Sequence, residues 1–210
     1  MKIAIIGAGN VGGNLGKVWA GKGHSVIFGV RDPNSPKVQA LIAATGEHAQ
    51  AASVAEAASS AEVVVLSTPW PATQEAIQAA GDLAGKIIID CINPLQPDLS
   101  GLSLGHTTSA AEEIARQAPG AKVVKAFNTT GAGNMLDPQY GSLAADMFIC
   151  GDDAAAKSTV AKLAGDAGFD VVDAGPLSNA RLLEPLAMLW IDLALKRGFG
   201  TNIAFKLLRR

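Results

Sequence analysis

Residues 2–31, KIAIIGAGNVGGNLGKVWAGKGHSVIFGVR, decide how the rest of the chain is read. Ile3, Ala4, Ile5 and Ile6 form a short apolar run, followed directly by Gly7-Ala8-Gly9-Asn10-Val11-Gly12. Val11, Leu15, Val18 and Trp19 then recur at the spacing of one helical face. Gly21-Lys22-Gly23 stops that helix, and Ser25–Gly29 reads as a second strand. Strand, glycine turn, helix and strand at this length make one βαβ unit.

The glycines of the turn have different tasks. Gly7 permits the tight turn, Gly9 lets the backbone approach a pyrophosphate, and Gly12 lets helix and strand pack closely. The helix start then offers free N–H groups and a partial positive charge to phosphate. A GxGxxG alone says little; after a strand and opening an apolar-striped helix, it predicts a dinucleotide site.

Which dinucleotide is read at the end of the second strand. Counting places Asp32 twenty residues after Gly12, where a carboxylate would hold the ribose hydroxyl of NAD. Strand register points elsewhere. With Val26 and Phe28 facing the core, Val30 lies just past the strand end and Arg31 follows it. A planar guanidinium matches phosphate oxygens, so this reading favours NADP(H) with Arg31 as the clamp. Asp32 stands as the alternative for NAD.

The 210 residues are 49% hydrophobic and 17% charged, enough for a sizeable core. Residues 1–127 are expected to form a Rossmann-type dinucleotide domain, with 128–210 an α/β extension and helices packed on it. A formal net charge of −2 with no basic block excludes nucleic acid as a partner. No apolar stretch reaches membrane-spanning length, and the first is too short for a signal sequence. Cys91 and Cys150 each end an apolar run, which predicts buried thiols and a cytoplasmic protein. His24, His48 and His106 lie far apart, so no metal site is expected.

Farther along, short helices are expected over Pro36–Ala44, Ser53–Ser60 and Thr73–Ala80, with a thin strand signal over Glu47–Ala52. Glu62–Ser67, Lys86–Cys91 and Lys122–Phe127 read as buried parallel strands. Their carboxyl ends run into Thr68-Pro69-Trp70-Pro71, Ile92-Asn93-Pro94 and Asn128-Thr129-Thr130, where open α/β sheets bind ligands. Residues 95–106 read as a surface loop, and Thr108 or Ser109 opens a helix to Gln117. Asp146–Cys150 and Phe169–Val172 are strands around a helix ending near Asp166. The last helical region, Asn179–Lys196, carries an apolar stripe too wide for an isolated surface helix, so it packs on the sheet or on another subunit. Pro185 should kink it. Strands alternating with helices make this a doubly wound α/β fold with a Rossmann-type parallel sheet.

No GxSxG elbow or assignable triad is present, Cys91 has no neighbouring His, and His106 is the one histidine in a loop. No catalytic acid or base is therefore assigned. That suits hydride transfer between a nicotinamide and a flavin-like ring, where face-to-face positioning and the cofactors supply the chemistry. Thr68-Pro69-Trp70, Asn93-Pro94 and Phe127-Asn128-Thr129 would wall such a slot, with Trp70 either stacking on a ring or capping the core.

The stretch Lys2–Arg31, the run Val123–Thr129, and Cys150–Asp153 followed by Asp173–Leu182 resemble the NADP-dependent oxidoreductases of the deazaflavin coenzyme F420. The cytosolic domains of the STEAP metalloreductases are relatives of that group. The resemblance covers nearly the whole chain and is most specific in DAGPLSNARL. It implies reversible hydride transfer between NADPH and a deazaflavin or a flavin (FMN or FAD). The nicotinamide cofactor would lie along Gly7–Gly12 and Arg31, passing Ser67-Thr68-Pro69 and Asn93-Pro94. The second ring would sit near Ala126–Thr130 and Pro176-Leu177. It also implies a homodimer or larger homo-oligomer through the C-terminal helices. The chain departs from the family pattern at Ala8 and Val30, where Thr and Ser are frequent, and its next basic residue after Arg31 is Lys37. A non-catalytic NADP(H)-binding sensor and a small-substrate NADP-dependent dehydrogenase remain alternatives, because a Rossmann unit by itself implies only binding.

Overall fold

The computed structural model describes residues 1–210. Its strands in chain order are β1 (Lys2–Ile6), β2 (Ser25–Gly29), β3 (Ala49–Ala52), β4 (Val63–Leu66), β5 (Ile87–Asp90), β6 (Lys122–Lys125), β7 (Gln139–Tyr140), β8 (Leu143–Ala144), β9 (Asp146–Gly151) and β10 (Asp170–Asp173). The helices are α1 (Asn10–Gly21), α2 (Pro36–Thr45), α3 (Val54–Ser60), α4 (Thr73–Ala80), α5 (Ala110–Gln117), α6 (Ala154–Asp166) and α7 (Ala180–Ile191).

Eight strands form one sheet in the order β10-β9-β6-β5-β4-β1-β2-β3. The six from β3 to β6 are all parallel, which is the Rossmann arrangement. Strand order reverses between β1 and β4, so the loops after Ile6 and Leu66 open a crevice at the carboxyl edge. Both faces of the sheet are covered. Ile3, Ile5, Val26, Phe28, Val63 and Val65 join one apolar cluster with Leu15 and Trp19. The alternate residues Ala4, Ile6, Ile27, Val64 and Leu66 join the other with Ala57, Ile77 and Ile114. A strand buried on both faces reads as continuous hydrophobic sequence, which is why these runs are so plain.

The sheet departs from all-parallel at one place. β9 pairs antiparallel with β6, and β10 then runs parallel to β9. A parallel neighbour needs a crossover of a dozen or more residues, usually a helix. Between β6 and β9 the chain has only a 3-10 turn at Ala132–Met135 and the two-residue strands of the β7–β8 hairpin, which sequence reading missed. Residues 128–210 thus extend the same sheet.

Local signals hold where they are chemical. Ser53 caps α3 in a capping box with Glu56, and Ser109 caps α5 by accepting from the Glu112 N–H. α7 continues without interruption through Pro185, in its second turn, and ends in a π turn over Asp192–Lys196.

Candidate functional site

A cleft of about 910 Å³ lies over the β1–α1 turn and the end of β4. Gly7, Ala8, Gly9, Asn10, Arg31, Ser67, Thr68 and Pro69 line it, together with Lys17, Ser35 and Lys37. Its geometry follows from the glycines. Gly7 has a φ of +109°, and a Cβ there would meet the Ser67 carbonyl oxygen at 2.7 Å. At Gly12 a Cβ would lie 2.1 Å from the Gly7 carbonyl oxygen, so the helix can start here only without a side chain. Ser67 Oγ donates to the carbonyls of Ile6 and Gly7, pinning the turn to β4.

Gly9 behaves differently. A Cβ built on it meets nothing within 4 Å, so the turn leaves open space at that point. No side chain caps α1 and no acidic residue sits in its first turn. Uncapped N–H groups beside open space fit the pyrophosphate of a dinucleotide.

At the far end of the cleft, Arg31 is exposed and makes no ion pair, whereas the Asp32 carboxylate accepts from the Asn34 N–H at 3.0 Å in an Asx turn. Lys37, carried on the first turn of α2, lines the same cleft. This end of the cleft thus carries two cationic side chains.

A second cavity of about 400 Å³ adjoins the first, and Asn10 lines both. Its walls include Asn93, Asn128, Thr130, Gly131, Ala187, Trp190, Ile191 and Thr201. Trp190 is fixed by an Nε1–H bond to the Ile203 carbonyl at 2.8 Å, so the chain after α7 helps to hold this wall. Asn14 on α1 donates to the Ala132 carbonyl at 2.8 Å, tying the nucleotide helix to the cavity rim. Asn128 Oδ1 is buried with no donor.

Several residues expected to wall the ring slot lie elsewhere. Pro94 and Thr129 are buried, and Ala126 and Phe127 are fully within the core. The Phe127 ring packs edge-on to Trp19 and Phe169, with centroids 5.6 and 6.2 Å away. Its backbone takes a φ of +60°, which turns the chain sharply so that Asn128 reaches the cavity. Trp70 starts a 3-10 turn and packs on the apolar cluster holding Ala4 and Leu66, lining neither cavity. Val11 packs beside the core of α1, and Gly12 is buried. Leu177 is buried in the core as well.

Sequence reading missed a buried ionic cluster whose members adjoin Asn93 and, through Leu183, Asn128 of the second cavity's wall. Lys125, Asp90 and Glu184 are all fully buried. Lys125 Nζ lies 2.8 Å from Asp90 Oδ2 and 2.8 Å from Glu184 Oε1, and it also donates to the Ile92 carbonyl. Burial works against the charged amine, but the two carboxylates outweigh it and hold the Lys125 pKa above its usual value. The available signal was a Lys and an Asp each closing an apolar strand, at positions that the β5–β6 register places side by side. Burial also raises the Cys91 and Cys150 thiols, the latter to about 12, so neither serves as a nucleophile. No cluster of three or more His, Cys, Asp or Glu is arranged to hold a metal, and no helix is long and apolar enough to cross a membrane.

The family model for NADP oxidoreductase, coenzyme F420-dependent, matches residues 2–94, the part that builds the first cleft. An F420-dependent NADP reductase of Methanothermobacter marburgensis is 32% identical over 210 residues, covering 93% of each chain. The chain belongs to the coenzyme F420-dependent NADP oxidoreductase family. A member of this family is an NADP-dependent oxidoreductase. A candidate F420-dependent NADP-reductase crystallised from Arthrobacter sp. FB24 shares 38% identity and superposes with a TM-score of 0.89, covering all of both chains. Rat Metalloreductase STEAP3 is 35% identical over 191 residues, which is 90% of this chain and 37% of that protein. The chain thus spans little more than a third of the metalloreductase it matches.

Proposed function

We propose that this F420-dependent oxidoreductase family member moves a hydride between NADP(H), held in the first cleft, and a deazaflavin or flavin ring in the second cavity. One observation carries the reading: none of the residues lining the second cavity is Asp, Glu, His, Lys, Arg, Cys or Tyr. Reduction of a carbonyl would call for a proton donor there. Ring-to-ring hydride transfer asks only for alignment and exclusion of water. The nicotinamide supplies the hydride; the protein's share is to hold, orient and enclose. Gly9 and the start of α1 would hold the pyrophosphate, Arg31 and Lys37 the 2′-phosphate, and Asn10 stands where the two cavities meet. Trp190, Ile191 and Ala187 supply an apolar wall for a flat heterocycle. The reading includes a cytoplasmic setting and a homodimer or larger assembly.

The test is loss of the nicotinamide absorbance when NADPH is mixed with FMN, FAD or coenzyme F420. Turnover with at least one is expected. Tight NADPH binding with no turnover by any of them would favour a sensor module instead.

Arg31→Ala should weaken NADPH by roughly ten- to a hundredfold, from a loss of about 1.5–3 kcal/mol in one charge-assisted phosphate contact, and leave NADH unchanged. Equal weakening of both nucleotides, measured by fluorescence titration, would remove the clamp role. The assembly has its own check. Leu182 and Leu189 on α7 are 66% and 49% exposed, an apolar stripe with nothing covering it. Leu182→Glu with Leu189→Glu should shift the light-scattering mass to that of a monomer while the thermal melt stays cooperative.

A further inference from the structure

We propose that Lys125 is a positioning residue for the second cavity, holding the pair of asparagines that face it. The inference rests on the reading that this cavity takes the hydride acceptor.

The ammonium has three N–H donors, and the structure gives it three acceptors: Asp90, Glu184 and the Ile92 carbonyl. Each leads to the cavity within a residue or two. Ile92 precedes Asn93, and its own N–H donates to Asp90 Oδ1 at 2.8 Å, so both ends of that residue are held. Glu184 follows Leu183, whose carbonyl accepts from Asn128 Nδ2 at 3.2 Å. Asn93 and Asn128 then bond reciprocally. Asn93 Nδ2 donates to the Asn128 carbonyl at 2.9 Å, and Asn128 Nδ2 donates to Asn93 Oδ1 at 3.0 Å. Both asparagines line the cavity.

Glu184 is also anchored on its other side, accepting from the N–H groups of Ala110 and Ala111 at the start of α5 at 3.1 and 3.3 Å. One side chain on β6 therefore ties β5, α5 and α7 into a single frame around the asparagine pair. A buried ionic cluster seldom stabilises more than apolar side chains of the same volume would. What it adds here is direction: each carbonyl and carboxylate it holds has one position, and the amide nitrogen of Asn128 has both its acceptors set by that frame. Because that nitrogen is committed, the amide cannot flip, and its unpartnered Oδ1 keeps one orientation.

The deciding variant is Lys125→Met combined with Asp90→Asn. One cation and one anion leave together, so the formal charge of the cluster is unchanged, and the amide oxygen introduced at position 90 can still accept from the Ile92 N–H. The expected result is a folded protein with NADPH affinity like that of the wild type and a KM for FMN or coenzyme F420 raised about tenfold or more. Hydrogen exchange at the Asn128 side-chain amide, followed by NMR, should accelerate by about tenfold. An unchanged acceptor KM and unchanged amide exchange in the folded variant would overturn the proposal, as would equal losses for nucleotide and acceptor. If this variant does not fold, Glu184→Gln, which removes one carboxylate from the ammonium, takes its place under the same criteria. If the wild type turns over no acceptor, the assigned function fails, while the amide exchange still decides whether Lys125 holds the pair.

Discussion

Gly9→Val will fold as the wild type does and lose about a hundredfold or more of its NADPH affinity. Gly9 has a φ of −85° and a ψ of −162°, an extended backbone that a β-branched residue readily adopts. Its Cβ would touch no protein atom. Valine therefore costs the native state little and fills the space where a pyrophosphate would lie against the start of α1. A hundredfold is about 2.8 kcal/mol, well within what loss of an anion site at a helix N-terminus can remove. Gly12→Ala acts in the opposite way, because its Cβ would sit within 2.1 Å of a backbone oxygen and the β1–α1 packing must give. It should lower the melting temperature before it affects binding. A thermal melt and a fluorescence titration on the two variants separate these outcomes; wild-type NADPH affinity in Gly9→Val would place the nucleotide elsewhere.

Lys125→Met alone should destabilise the protein by about 3–5 kcal/mol, read from urea midpoints at constant m-value. The cost comes from leaving Asp90 and Glu184 in a fully buried site with no cation. Adding Asp90→Asn should recover part of it by removing one of the stranded charges. The effect has a defined pH dependence. The folded-state pKa of Lys125 lies above the ordinary lysine value of 10.5. Its contribution is then fully present below the unfolded-state pKa and disappears as pH rises through the folded-state value. The stability gap between wild type and Lys125→Met should therefore hold constant from neutral pH to about 10 and narrow above it.

The opening βαβ unit was legible because each of its signals is local. An apolar strand, a glycine turn and a striped helix require nothing from the rest of the chain, and β1, α1 and β2 fall where those signals place them. Capping at Ser53 was legible for the same reason, while at α5 the sequence left Thr108 and Ser109 open and the structure selects Ser109. Strand direction was not. A run such as DMFIC is equally apolar read either way, and the reversal goes with a connection from β6 to β9 that holds a 3-10 turn and a small hairpin but no crossover helix.

The candidate site divides along the same line. Gly7, Gly9, Arg31 and Thr68 could be placed in the first cleft from position relative to a strand end. Phe127 and Trp70 could not, since an aromatic at a strand end serves a ring slot or a core equally well until its neighbours are known. Here Trp19 and Phe169 claim Phe127, and the sheet claims Trp70.

The linear chain by itself determined that a dinucleotide-type turn follows β1 and that Arg31 stands at the end of β2, because both depend on backbone chemistry within a few residues. Only the tertiary structure decided that Asp90, Lys125 and Glu184 meet, and that Asn10, Asn128 and Trp190 border one cavity. Those groups are separated by tens of residues along the chain, and the β5–β6 register together with the packing of α7 on the apolar cluster around Ile88 and Ile92, not spacing, brings them together.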